Sequence, residues 1–250
     1  MRFTSSGRCV QGKKPYYEDH YCIGSHVEEG AMSCYTYRHT DRFFPEFGLL
    51  VAVADGIGEP TAASYASQTA LDLLQRQFYS ERRTGATWDD LAGCLKRYLD
   101  ETQSQLLAKL SEMPGYANAG TSIAGIALMP PNLLVVFNVG DSRVLRTSGG
   151  SIRCLTVDSA PFGGGNLTQA QIGPEKAWAA GERYLLCSSS LHGGGRGLTV
   201  AEVKEALLAD EDIRFLGEVI ALKGYVKDPS DNCTGVAVCI TEEDAESTTQ

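Results

Sequence analysis

"VAVADGIGEP", residues 51–60, is the stretch on which the fold turns. Apolar residues of strand type run straight into an acid, Asp55, and two glycines, Gly56 and Gly58. A strand tip that ends on a bare carboxylate is a good place to hold a metal ion. Asp beside Gly is also a common turn. Asp55 therefore needs company before it means chemistry.

Outward from this stretch, strand candidates fall at 48–54, 121–128, 133–139, 143–146, 184–187 and 233–240. They are rich in Val, Ile and Leu and bounded by Gly, Asp, Pro and Asn. "MPPNLL" (129–134) reads as a hairpin loop and "TSGGS" (147–151) as a tight turn. Helical spacing over 61–78 places Ala62, Tyr65, Ala66, Thr69, Leu73 and Phe78 near one face. The period continues over 87–112 with Leu91, Leu95, Leu99, Leu106 and Leu110, and Thr87 is placed to cap it. "TVAE" (199–202) is a capping box that opens a third helix through residue 208. Strands, two long helices, a run of strands, one helix and a last strand predict an α+β fold with hairpin-linked sheets. The acidic, polar end, 242–250, reads as a frayed tail after a single domain over 1–241.

Composition narrows the function. A chain of 250 residues, 43% hydrophobic and 21% charged, fits a soluble globular protein. A formal net charge of -9 argues against nucleic acid and anionic membrane as partners. The eight cysteines show no C-x-x-C spacing, which speaks against a zinc ribbon or a thioredoxin motif. The opening residues, MRFTSSGRCVQGKK, hold no apolar signal core, and no apolar run approaches the roughly 18–20 residues of a membrane helix. A cytoplasmic protein with reduced thiols is the expectation.

Asp55 has candidates for company. Glu18 and Asp19 follow "GKKPYY", Asp141 follows "FNVG", and Asp231-Asn232 precedes the last strand. Each alone reads as a turn residue. Together they suggest strand ends converging at one edge of a sandwich, where clustered carboxylates suit hard cations such as Mg²⁺ or Mn²⁺.

On these residues the chain resembles the metal-dependent PPM/PP2C-type Ser/Thr protein phosphatases, in their bacterial form. The matching segments, in the family's order, are "YYEDHY" (16–21), "VAVADGIG" (51–58), "AGTSIAGIAL" (119–128), "LLVVFNVGDSRVLRTSGG" (133–150), "LTVD" (155–158), "NLTQAQIG" (166–173), "ERYLLCSSSL" (182–191) and "SDNCTGVAVCI" (230–240). "NVGDSR" and "ADGIG" are the most specific. The resemblance implies a PP2C-like β-sandwich of two antiparallel sheets flanked by helices, with two Mn²⁺ or Mg²⁺ ions at one end. It implies Asp55 as the bridging carboxylate, the Gly56 carbonyl beside it, Glu18 or Asp19 at the second metal and Asp231 at the first. It gives Asp141 a structural role. The implied reaction is hydrolysis of phosphoserine and phosphothreonine by a metal-activated water. A phosphorylated protein is the implied substrate, and a cognate Ser/Thr kinase system the implied partner.

The chain departs from the family pattern at three places. Ser189 stands where the family has a metal-binding Asp, in the run Ser188-Ser189-Ser190, which predicts a weakened first metal site. Lys14 stands where the family has its phosphate-binding Arg, so it is a catalytic candidate with charge but without the bidentate fork. Only "SAPFGGG" (159–165) separates "LTVD" from "NLTQAQIG", where many relatives carry a longer flap, and 114–120 holds no acid for a third metal. The alternative that these departures raise is a pseudophosphatase, a phosphoprotein- or partner-binding module without turnover. Rival motifs fall away. "HGGG" (192–195) has no G-x-S-x-G to make an esterase, and no G-x-x-x-x-G-K-[ST] frame exists. His192 reads as an ordinary loop residue.

Overall fold

Side chains alternate between the two faces of a strand, so residues 51 and 53 point one way and 50, 52 and 54 the other. In the computed structural model of the chain both sets are fully buried, which makes this strand a wall between two cores. The structure describes residues 1–163, 168–173, 176–192 and 196–243. The first part of the chain forms β1 (Arg2–Val10), β2 (Asp19–Ile23), β3 (His26–Glu28), β4 (Ser33–Arg38), α1 (Phe43–Phe47) and β5 (Leu49–Ile57). Two long helices follow, α2 (Pro60–Ser80) and α3 (Trp88–Glu112). Then come β6 (Gly120–Met129), β7 (Leu133–Val139), β8 (Arg143–Ser148), β9 (Ser151–Cys154), β10 (Phe162–Gly163), β11 (Gln171–Ile172), β12 (Lys176–Ala177) and β13 (Arg183–Cys187). The chain closes with α4 (Ser189–His192), α5 (Val200–Leu208), α6 (Leu216–Lys227) and β14 (Cys233–Thr241).

Among the described residues the strands make two antiparallel sheets. One runs β4-β1-β14-β13-β8-β9, and the other β11-β7-β6-β5-β2-β3, with β10 on β6 and β12 on β7. Between the sheets, Val51 and Val53 pack with Tyr21, Ile126, Tyr184 and Val236. On the far side of the second sheet, Leu50, Ala52 and Ala54 pack against Ala66, Leu74, Leu95 and Leu99 of α2 and α3. Beyond the first sheet, Leu185 and Ala237 meet Val203, Leu207 and Ile220 of α5 and α6. The order of layers is helices, sheet, sheet, helices. Each buried Val or Leu contributes about 1.5–3 kcal/mol by leaving water. A slip of one residue in β5 would exchange its two core faces, so the register is strongly fixed.

The expected α+β sandwich is the fold that forms, and all six expected strands are present. The helix expected over 61–78 is α2, and that over 87–112 is α3. Thr87 caps α3: its hydroxyl accepts from Asp90 N at 3.2 Å, and Asp90 Oδ2 accepts from Thr87 N at 2.9 Å. Thr199 and Glu202 make the same box at α5. The structure adds elements that the sequence pattern hides. β1 holds small polar residues, Thr4, Ser5 and Ser6, buried in mid-sheet, and an apolar alternation never appears. In α6, Gly217 and Gly224 read as breakers. A Cβ at Gly217 would lie 2.1 Å from Ser6 O, and one at Gly224 would lie 2.5 Å from Cys233 Sγ. Glycine lets this helix lie flat on the sheet.

All eight cysteines are free, and five are buried. Among the described residues no helix is long and apolar enough to cross a membrane. The tail residues 244–250, residues 193–195 of "HGGG", and 164–167 lie outside the described residues.

Candidate metal centre

β2 and β5 run antiparallel with Asp19 opposite Asp55, His20 opposite Ala54 and Tyr21 opposite Val53. Tyr21 and Val53 face the space between the sheets. Period two puts Asp19 and Asp55 on that same face, at its open end. Asp19 is buried and accepts from Thr234 Oγ1 of β14 at 2.7 Å, which ties the two sheets together at this rim. Asp55 Oδ2 accepts from both Ser189 N at 3.2 Å and Ser189 Oγ at 2.8 Å.

The hard turn after Asp55 now has a cause. Gly56 N donates to Glu18 O at 3.0 Å. A Cβ on Gly56 would fall 2.3 Å from Ala63 O and 2.7 Å from Glu18 O. β5, β2 and the first turn of α2 therefore meet at a point where only glycine fits. Gly58 takes φ 124, a conformation that favours glycine, and Pro60 then opens α2.

Glu18, Lys14 and Asp231 form the outer part of the rim. Gly12 has φ 66, and a Cβ there would lie 2.1 Å from Asp231 O. Lys13 N donates to Pro229 O at 2.8 Å. This packing sets Lys14 Nζ 2.7 Å from Glu18 Oε2 and 3.2 Å from Asp231 Oδ1. Burial pulls the Lys14 ammonium down, but the Glu18 hydrogen bond and the Asp231 charge outweigh it and raise its pKa. Glu18 Oε1 is buried and has no hydrogen-bond partner.

The acids disfavour one another. Burial pushes Asp55 up to about 6, against the Ser189 hydrogen bonds, with the Asp141 and Asp231 charges adding to the rise. Burial and then the Asp55 charge push Asp19 well above the usual carboxylate range. A rim with this surplus of carboxylate calls for positive charge. Asp141 sits exposed in the turn after β7, where its carbonyl accepts from His192 Nε2 at 3.0 Å.

Sequence reasoning missed the residue that staples the site. Asn232 is buried, and its Oδ1 accepts from Glu18 N and, at 3.1 Å, from Asp19 N. Its Nδ2 donates to Gln11 O at 2.6 Å and to Tyr16 O at 3.3 Å. Asn after Asp reads as a turn, and nothing local reveals partners more than 200 residues away. Ser67 of α2 was also unseen; its hydroxyl lies 2.6 Å from Glu18 O. Ser190 donates to Asn232 O. No described non-glycine residue has a positive φ, so Ser190 sits without backbone strain in the short α4.

The donors suit a hard divalent ion, because all are oxygens: Glu18, Asp19, Asp55 and Asp231, with the Gly56 carbonyl nearby. The unpartnered Glu18 Oε1 adds a buried acceptor that an ion would satisfy. As they stand, no three His, Cys, Asp or Glu side chains among the described residues close around a metal position. Lys14 takes up Glu18 and Asp231, and Ser189 takes up Asp55.

Comparison with known proteins agrees with this frame. The family model "Protein phosphatase 2C" matches residues 45–162, a little under half of the chain. The chain is 29% identical over 109 residues to the serine/threonine phosphatase stp of Listeria welshimeri, covering 44% of this chain. That match spans 42% of the relative's length. The Mycobacterium tuberculosis serine/threonine phosphatase PstP/Ppp shares the fold, with a TM-score of 0.76 at 20% identity over 97% of this chain and 100% of that one. A structure of the PstP catalytic domain in complex with two manganese ions overlays with a TM-score of 0.75 at 20% identity, over 97% of this chain and 100% of that one. The PP2C family is metal-dependent.

Proposed function

We propose that this chain is a metal-dependent phosphatase acting on phosphoserine and phosphothreonine in proteins. What supports the reading is the meeting of Glu18, Asp19, Asp55 and Asp231 at one rim of the sandwich, with a buried Glu18 oxygen left unpaired. Two Mn²⁺ or Mg²⁺ ions would bind there; the PstP catalytic domain, which shares the fold, is in complex with two manganese ions. Asp55 would bridge them, Glu18, Asp19 and the Gly56 carbonyl would serve one, and Asp231 the other. Such ions would lower the pKa of a water and offset the charge of the phosphoryl oxygens. The chain's own residues hold the frame: Asn232 fixes the backbone of Glu18 and Asp19, Thr234 orients Asp19, and Ser189 orients Asp55. Lys14 supplies positive charge for the substrate phosphate. Ser189, neutral in place of an acid, leaves the Asp231 side of the site weaker. A cytoplasmic phosphoprotein and its Ser/Thr kinase complete the proposal.

The test is release of phosphate from phosphoserine and phosphothreonine peptides with Mn²⁺, compared with Asp55→Asn. Turnover that needs both the metal and Asp55 is the expected result. Turnover no higher than that of the variant would overturn the reading and leave a pseudophosphatase.

A further inference from the structure

The carboxylates of this rim already have a cation, and it is covalently attached. Lys14 Nζ lies 2.7 Å from Glu18 Oε2 and 3.2 Å from Asp231 Oδ1. The Glu18 side chain is only 5% exposed, while Lys14 is 32% exposed and Asp231 48%. The head group thus reaches inward from the solvent edge to a buried acid. Its backbone is held on both sides. Gln11 Nε2 donates to Lys14 O at 2.9 Å, and Lys13 N donates to Pro229 O at 2.8 Å. This is a placed ammonium and not a roaming surface lysine.

An ammonium is an incomplete partner here. It satisfies Glu18 Oε2 and leaves Oε1 of the same carboxylate buried without a partner. A divalent ion carries twice the charge and takes oxygens at about 2.0–2.6 Å. Ions in direct contact with Glu18 or with Asp231 would claim the oxygens that the Lys14 head group holds, and cations so close repel one another. Lysine suits this role because its charge is compact and its stem flexible; a guanidinium is a wide planar fork.

We propose that Lys14 is a built-in competitor for the metal. In the metal-free protein its ammonium bridges Glu18 and Asp231, offsetting part of the rim's charge, and a divalent ion must displace it to reach either acid. The displaced head group has only the solvent side to turn to, where a substrate phosphate would arrive. Metal loading and the freeing of the phosphate-binding charge become one event. The inference rests on the reading of this rim as a metal centre.

Calorimetric titration with Mn²⁺ and melting of the metal-free protein in chelator test it, on wild type, Lys14→Gln and Lys14→Met. Both variants should bind Mn²⁺ about tenfold more tightly than wild type or more. Metal-free, both should melt below wild type, and Mn²⁺ should raise their melting temperatures by more than it raises that of wild type. Two substitutions of different polarity guard against the new side chain itself acting as a ligand. Binding that is equal, weaker or absent in both variants overturns the competitor role. The outcome is separable from the phosphatase reading. Tighter Mn²⁺ binding without peptide turnover would sink the activity and keep the competitor, and wild-type turnover with unchanged Mn²⁺ affinity in the variants would do the reverse.

Discussion

Asp55 is held at one oxygen by both donors of Ser189, at the end of a strand whose every other residue back to Leu49 is buried. Replacing it by Asn keeps the shape and a carbonyl oxygen for Ser189, and removes the charge. Asp55→Asn should therefore fold like wild type by circular dichroism, yet lose Mn²⁺ binding and hydrolysis by more than about a hundredfold; a variant with normal turnover would remove Asp55 from the centre. Ser189→Asp is the converse. Its carboxylate would face Asp55 where a hydroxyl now sits 2.8 Å away, so without metal the pair repels and the protein should melt lower. With Mn²⁺ the same pair should bind more tightly and melt higher, and turnover should rise if the site is catalytic. Ser190 carries no positive φ, so the change at 189 can be tested without a second substitution beside it. At this scale the sequence displayed Asp55 and Asp231, which lie beside expected strands, whereas no strand was expected at Glu18 and Asp19. It hid Asn232 and Ser67, whose hydrogen bonds reach across 214 and 49 residues.

The elements around the site meet through backbone as much as through side chains. Gly56 lets α2 come down on β5 and β2, so Gly56→Ala must push Ala63 O or Glu18 O away from positions 2.3 and 2.7 Å from the new methyl. Overpacking against backbone costs about 1–3 kcal/mol, and the shift would also move Glu18. Lower stability in denaturant together with weaker Mn²⁺ binding is the expected pair of results. Asn232→Ala leaves the buried amides of Glu18 and Asp19 without acceptors, each at a cost of about 1–3 kcal/mol. Its denaturation midpoint should fall accordingly, and Mn²⁺ affinity should fall with it, because the loop of residues 11–19 loses its anchor. β5, β6, β7 and the two long helices were legible because apolar spacing is a local signal. β1 and α6 were not, because each is placed by a neighbour: β1 by nine paired residues of β14, and α6 by glycines pressed onto Ser6 O and Cys233. Small and polar residues in such places carry packing information that no periodicity shows.

The whole molecule should unfold as one cooperative unit over residues 1–241. Trp88 reports the layer beneath α3, where its Nε1 donates to Leu134 O at 3.2 Å, and Trp178 reports the layer between the sheets, where its Nε1 donates to Met129 O at 3.2 Å. In each of the single-tryptophan variants, Trp88→Phe and Trp178→Phe, fluorescence and far-ultraviolet dichroism should share one denaturant midpoint; separate midpoints would split the domain. The pairing of β1 with β14, from Arg2 with Thr241 to Val10 with Cys233, also fixes an order of events on the ribosome. Asp19 and its anchor Asn232 are 213 residues apart, a wait on the order of ten to forty seconds at translation rates of about 5–20 residues per second. During that interval β1 can pair with β4 on one side while its other edge stays bare. The carboxylate rim is thus complete only once β14 has emerged, and a nascent chain halted before β14 would carry an open sheet edge and an unanchored rim.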